Sequence, residues 1–296
     1  MPGFSGILPA AITPVDDDGT LLTSSFELLL TRLYEAGAHG LYVCGQTGEG
    51  LSLAPEVRER ALEIALAQSP AGRVVVAHVG AASTREALRL ARHAARAGAH
   101  AISSLPPAAA PSFAAVRAYY EALAAAGPPV LIYYFPEFSP TIQTVDQVLE
   151  LCSIPNVVGL KFTDFDLYRL SLLQRAGYTV LNGRDEVLAA GLLMGAHGGI
   201  GSFYNLVPEL FVDLYNHTQA GRWTEARAVQ DRINLLIRAV LHFPLIAAIK
   251  RLLSWSGIPS GHPVLPRLPL EPAAEGALRA AVAASGFNPE GFLTAA

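Results

Sequence analysis

The chain has 296 residues, 51% hydrophobic and 16% charged, with a net charge of −4. That length fits one large domain or two ordinary ones, and the acidic balance gives no electrostatic case for nucleic acid or an anionic membrane surface. No apolar run is long enough to span a bilayer, the first six residues lack the basic start of a secretory signal, and the two cysteines, Cys44 and Cys152, form neither a disulfide framework nor a zinc spacing. A cytoplasmic enzyme or binding protein is expected.

Taken in order, residues 7–13 form an apolar strand, stopped by Pro14 and the turn residues 16–19. A helix over 25–36 ends at Gly37, a residue suited to a left-handed C-cap. Strand 40–44 leads into the glycine-rich loop 45–50, and Pro55 opens the next helix. Strand 74–79 is followed by Ser83, an N-cap, and a helix to residue 97. The alternation continues with strand 100–104, helix 112–126, strand 130–134 and helix 144–152. Strand 157–161, helix 165–175, strand 178–181, helix 185–194, strand 198–202 and helix 207–218 complete it.

Eight strand–helix units, each long enough for a parallel crossover, predict an α/β fold. A closed (β/α)8 barrel is favoured over a doubly wound open sheet, because no strand is followed by G-x-G-x-x-G. Beyond Gly221 the pattern is helical over 223–255, Pro-rich over 257–272 and helical over 274–285. The expected organisation is a barrel over 1–221 and a C-terminal helical extension over 222–296, packed on it as a single structural unit.

Candidate chemistry follows from strand ends, where barrel enzymes gather their reactive groups. The chain has 21 basic residues, but only Lys161 and Lys250 are lysines. Lys161 closes an apolar strand in which alternation predicts Val157, Gly159 and Lys161 on one face and Val158 and Leu160 on the other. A buried amine there can lose its proton and attack a carbonyl, which a guanidinium cannot do; the alternative is a core lysine paired with a carboxylate. Tyr133 can carry a proton, and the Gln46-Thr47-Gly48 turn offers N–H groups and a hydroxyl to an anion. Thr13, Thr163, Gly183, Asp185, Glu186 and Ser202 lie at other strand ends. The set suits a carbonyl substrate bearing a carboxylate, with no metal and no cofactor. Lys250, in the helical extension, is expected to be a solvated amine.

Three segments carry a resemblance. Gly45-Gln46-Thr47-Gly48-Glu49 resembles the G-[ST]-T-G-E loop of the N-acetylneuraminate lyase and dihydrodipicolinate synthase superfamily. Residues 129–136 resemble its strand ending in Y-x-x-P, and Gly159-Leu160-Lys161-Phe162-Thr163-Asp164 its Schiff-base lysine segment. The similarity runs over nearly the whole chain. It implies a homotetrameric class I aldolase or dehydratase that forms an imine between Lys161 and pyruvate or another 2-keto acid. Spacing within the tyrosine segment favours Tyr133 over Tyr134 as the catalytic phenol.

Within the superfamily the sequence is most similar to the sialic acid lyases. The segment 182–186 resembles their G-x-D-E, which implies that Asp185 and Glu186 hold the hydroxylated tail of a sugar acid. The implied reaction is cleavage of a 2-keto-3-deoxy sugar acid, N-acetylneuraminate above all, to pyruvate and an aldehyde. Other pyruvate-dependent activities remain open: 2-keto-3-deoxygluconate cleavage, a dehydratase, a synthase, or a silent keto-acid-binding barrel. Phe138 stands where the synthases' carboxylate-anchoring arginine is expected, and Gln46 replaces the hydroxyl residue of the loop.

Overall fold

The structure, a computed structural model, describes residues 3–292; the outermost ends of the expected barrel and extension, residues 1–2 and 293–296, lie outside the described residues. Its frame is eight short strands: β1 (Gly6–Pro9), β2 (Gly40–Val43), β3 (Val74–His78), β4 (Ala101–Ser104), β5 (Val130–Tyr134), β6 (Val157–Phe162), β7 (Thr179–Asn182) and β8 (Gly198–Gly201). Strands joined in the same direction need a crossover that returns the chain to the same end, and a helix supplies it. The crossovers are α1 (Thr23–Glu35), α2 (Pro55–Gln68), α3 (Thr84–Ala97), α4 (Phe113–Ala124), α5 (Val145–Cys152), α6 (Leu167–Arg175) and α7 (Leu188–Leu193), and α8 (Pro208–Gln219) follows β8.

Local chemistry sets several boundaries. Ser83 accepts from the Glu86 N–H at the start of α3, and Gly98 ends that helix at φ +88°. Thr144 and Gln147 form a reciprocal capping box on α5.

The eight strands pair in parallel, in the order β1-β8-β7-β6-β5-β4-β3-β2. A parallel bridge between Ala10 and Tyr42 closes the ring, with the Ala11 N–H donating to the Tyr42 carbonyl at 2.9 Å. The (β/α)8 expectation is met. Leu8, Tyr42, Val76, Leu131, Leu181 and Ile200 fill the barrel. Ile7, Leu41, Val75, Ile132, Leu160 and Val180 face the helices.

The first strand is shorter than expected. Past Ala10 the chain no longer follows a strand ladder, and the Ile12 N–H donates to the Asn205 side chain at 3.0 Å. The expected helix 185–194 begins instead as a tight 3-10 turn, Asp185–Val187, before α7. The helical run 223–255 is two helices, α9 (Trp223–Val240) and α10 (Leu245–Trp255), which turn by 107° at a break containing Pro244. Proline lacks the N–H a continuous helix would need. Helix α11 (Pro272–Ala284) follows. Among the described residues no single helix is long and apolar enough to cross a membrane.

One expectation about β6 is corrected. Val157 packs on the helix side, Val158 on the barrel side, and Leu160 on the helix side again. Strict alternation therefore fails between Val158 and Leu160. The register explains it: Val130 pairs with Val157, but the next residue, Leu131, pairs with Gly159, leaving Val158 as an extra residue. Such a bulge reverses the phase of everything after it. Without it, Lys161 would share the outward face of Val157.

Candidate active site

The phase change at Val158 places Lys161 beside Tyr133 in the β5–β6 register. Paired residues of parallel strands point the same way, so both side chains enter the barrel mouth. The next pair, Tyr134 and Phe162, points outward; their rings stack at 5.3 Å and the Tyr134 hydroxyl meets Arg169. Tyr133 is thus the phenol on the cavity side.

Lys161 is only 4% exposed. Its Nζ lies 4.3 Å from the Tyr133 ring centroid and 4.7 Å from that of Tyr42. No salt bridge joins it to a carboxylate among the described residues. Burial lowers its pKa to about 7, and the Asp185 carboxylate opposes the shift. An amine with that pKa is substantially neutral near pH 7 and can act as a nucleophile. Tyr133 is shifted the other way: burial raises its phenol well above the ordinary value, with Thr163 and Arg184 pulling it back. It stays protonated and can donate.

A cavity of about 270 Å³ opens above these groups. Of the residues expected at the site, it brings together Lys161, Tyr133, Gln46, Thr47, Thr163, Gly183, Asp185, Glu186 and Ser202. Thr47 and Ser202 lie hydroxyl to hydroxyl at 2.6 Å across the mouth. Gly48 is not in the wall. It sits behind Thr47, with its carbonyl accepting from the Thr13 hydroxyl at 2.9 Å. A Cβ on Gly48 would come within 2.7 Å of the Ala11 carbonyl oxygen, so the turn can pack there only as glycine. Thr13 thus supports the loop from behind and does not line the cavity.

Asp185 is buried at the cavity edge. Its Oδ2 accepts from the Phe203 N–H at 2.8 Å, while Oδ1 meets no hydrogen-bond donor at bonding geometry among the described residues. Burial raises its pKa to about 7, against the pull of that N–H and of Lys161. Gly201 makes the approach possible: a Cβ there would lie 1.8 Å from Asp185 Oδ1. The Asp185 and Glu186 carbonyls accept from Gln230 and Asn234 of α9, each at 3.0 Å.

Sequence reasoning missed part of the wall. Phe135, Phe138 and Arg184 form one rim; Arg184 pairs with Glu137 at 2.5 Å and lies over the rings of Phe135 and Phe165. Leu241, Leu245, Ile246 and Arg267 come from the segments beyond α8. Only their distance in sequence hid them, since nothing in a helical apolar pattern says which barrel end it covers.

Lys250 corrects a second expectation. It is fully buried, not solvated. Its Nζ lies 2.7 Å from Glu49 Oε2 and donates to the His262 carbonyl at 2.8 Å. Helical spacing contained the signal, because Ile246, Lys250 and Leu253 share one face of α10.

Three comparisons bear on this arrangement. The sequence matches the dihydrodipicolinate synthetase family over residues 3–285. It is 36% identical to the N-acetylneuraminate lyase of Rhizobium meliloti over 284 residues, 95% of each chain. It is 34% identical to that of Citrobacter koseri, over 86% of this chain and 88% of the other. The fold superposes on the wild-type sialic acid aldolase of Ruminococcus gnavus with a TM-score of 0.90 at 28% identity, covering 96% and 97% of the two chains. It superposes equally widely on a prophage protein of the dihydrodipicolinic acid synthase family from Escherichia coli K12 in complex with pyruvate, with a TM-score of 0.89 at 27% identity and 96% and 99% coverage. A near-neutral lysine beside a phenol at the mouth of the same barrel agrees with these likenesses, and the chain belongs to the dihydrodipicolinate synthetase family, as a carbon–carbon lyase of the aldolase kind.

Proposed function

We propose that the chain cleaves N-acetylneuraminate to pyruvate and an aldehyde through an imine on Lys161. The observation that carries this is the buried Lys161 amine, without a salt bridge among the described residues and with a pKa of about 7, facing Tyr133 in an open cavity. The neutral amine attacks the C2 carbonyl and water leaves, giving a protonated imine. Electrons of the C3–C4 bond flow into that imine, the C4 hydroxyl gives up its proton, and the aldehyde departs. The enamine left on Lys161 is protonated at C3, and hydrolysis frees pyruvate and the amine.

Tyr133 serves the C4 oxygen. Burial keeps the phenol protonated, so it acts as a relay between substrate atoms: in cleavage it takes the C4 hydroxyl proton while passing its own to the substrate carboxylate, and condensation runs the same relay in reverse. Gln46 and Thr47, on the turn that Gly48 backs from behind, receive the substrate carboxylate, while Thr163, Gly183, Asp185, Glu186 and Ser202 meet the hydroxylated chain. The names of the relatives support the choice of N-acetylneuraminate, and a homotetramer in the cytoplasm accompanies it.

Steady-state assays test the substrate. Turnover of N-acetylneuraminate at millimolar concentration is expected, with less on 2-keto-3-deoxygluconate. No condensation of pyruvate with aspartate semialdehyde is expected, because Phe138 offers no cation to a second carboxylate. Silence on N-acetylneuraminate with turnover of another 2-keto-3-deoxy acid would reassign the substrate. Sedimentation velocity checks the assembly, and a monomer would contradict it.

A further inference from the structure

The second lysine has no place in the proposed chemistry, yet it is more deeply buried than the first. Lys250 and Glu49 form a charged pair with side-chain exposures of 1% and 0%. Removing two charges from water is costly unless their remaining hydrogen-bonding capacity is met. Backbone from a single segment supplies part of it: Glu49 Oε1 accepts from the Val264 N–H at 2.8 Å, and Lys250 Nζ donates to the His262 carbonyl at 2.8 Å. Glu49 itself holds a left-handed backbone, φ +55°, which a non-glycine residue adopts only when its surroundings impose it.

Glu49 also belongs to the turn that holds Thr47. Its N–H donates to the Gln46 carbonyl at 3.2 Å, and the Gly50 N–H donates to the Gly45 carbonyl at 3.0 Å, so the two bonds bracket Thr47 and Gly48. On its other side, the turn is fixed by the Thr13 hydroxyl on the Gly48 carbonyl. The Glu49 carboxylate is therefore a tether from the turn to α10 and residues 262–264. The same region supplies Leu245, Ile246 and Arg267 to the cavity wall.

We infer that the Glu49–Lys250 pair is a positioning device: from the C-terminal helices it sets the orientation of the Gln46-Thr47-Gly48 turn toward the carboxylate of the keto acid. The inference rests on the proposed function, in which that turn receives the carboxylate. Neither residue touches substrate. Their effect passes through Thr47 and the backbone beside it, so it falls on keto-acid binding and leaves the amine of Lys161 unaltered.

The test separates position from stability. Imine formation with pyruvate is measured by borohydride trapping as a function of pyruvate concentration and pH, beside thermal unfolding. It is applied to wild type, Lys250→Met, Glu49→Gln, the double variant Glu49→Gln/Lys250→Met, and Arg251→Gln. The last breaks the Arg251–Glu275 ion pair, elsewhere in the same helical region. Each single variant leaves one buried charge unpaired, whereas the double variant leaves none, so the double variant recovers most of the lost stability. Half-saturation by pyruvate is expected to rise roughly tenfold to a hundredfold in both single variants and to stay raised in the double variant, since a small misplacement of a binding group is enough for such a loss. The pH at which trapping is half-maximal should not move, and Arg251→Gln should keep the wild-type half-saturation. If pyruvate half-saturation returns to the wild-type value in the double variant along with stability, the pair is structural only and the positioning role is overturned. If the wild-type chain itself forms no pyruvate adduct, the keto-acid reading fails first, and this role with it.

Discussion

The two lysines of this chain occupy two buried regions with opposite logic. Lys161, at the barrel mouth, is 4% exposed, faces two tyrosine rings and an open cavity, and feels a carboxylate only through the more distant pull of Asp185. Lys250, on α10, is more buried still, but its ammonium has Glu49 at 2.7 Å and a carbonyl at 2.8 Å. Burial lowers the pKa of both, and at Lys250 Glu49 opposes it through charge and a hydrogen bond. Burial alone therefore does not make a nucleophile. What separates the two is a tight carboxylate partner on one side and room for a carbonyl on the other.

The largest expected effect comes from removing the reactive member. Lys161→Arg retains charge and much of the bulk but cannot form an imine, so turnover and pyruvate trapping should both vanish in a protein that still folds by circular dichroism. Lys250→Met, by contrast, should retain trapping on Lys161 at saturating pyruvate. Tyr133→Phe comes next: kcat for cleavage should fall by roughly 10²–10⁴ while trapping persists, because the phenol moves a proton and does not hold the pyruvate. Equal loss of both in that variant would place Tyr133 in binding instead.

The comparison then shifts to stability. Breaking the Glu49–Lys250 pair from one side should destabilise the fold by about 3–5 kcal/mol in denaturant unfolding, since a charge is left buried without its partner. A negligible change would mean that the orphaned charge finds water or neutralises. The smallest effect concerns Asp185. Its carboxylate raises the Lys161 pKa against burial, so Asp185→Asn should move the pH profile of imine formation to the acid side. In the wild type, imine formation should climb as pH rises to about 7 and flatten above it, because the neutral amine saturates beyond its pKa. A profile still climbing near pH 10 would describe an ordinary solvated lysine.

Much of the frame was legible in the sequence, because strand runs, helix caps and Pro or Gly stops act locally. The eight-fold alternation gave the barrel, and strand ends gave the catalytic face. What stayed hidden was set by contacts distant in sequence. The extra residue at Val158 leaves no mark in an apolar run, yet it decides which way Lys161 points. In the segment 182–186 the acids carry the resemblance and nothing marks Arg184, whose guanidinium the structure places on the rim over the rings of Phe135 and Phe165. Leu241, Leu245, Ile246 and Arg267 reach the cavity from beyond residue 221, where composition says helix and nothing about docking. Lys250 stands between Ile249 and Arg251 in the helical extension, a setting that suggests a solvated amine, although the i, i+4 and i+7 spacing of Ile246, Lys250 and Leu253 places it on an apolar face.

Borohydride trapping with pyruvate followed by peptide mass spectrometry tests the central claim most directly. Reduction turns an imine into a stable secondary amine, and the chain offers two lysines and its amino terminus as candidate sites. The account predicts one pyruvate per chain, on Lys161, absent in Lys161→Arg and retained in Tyr133→Phe. An adduct on Lys250, or none on the folded wild-type protein, would contradict it.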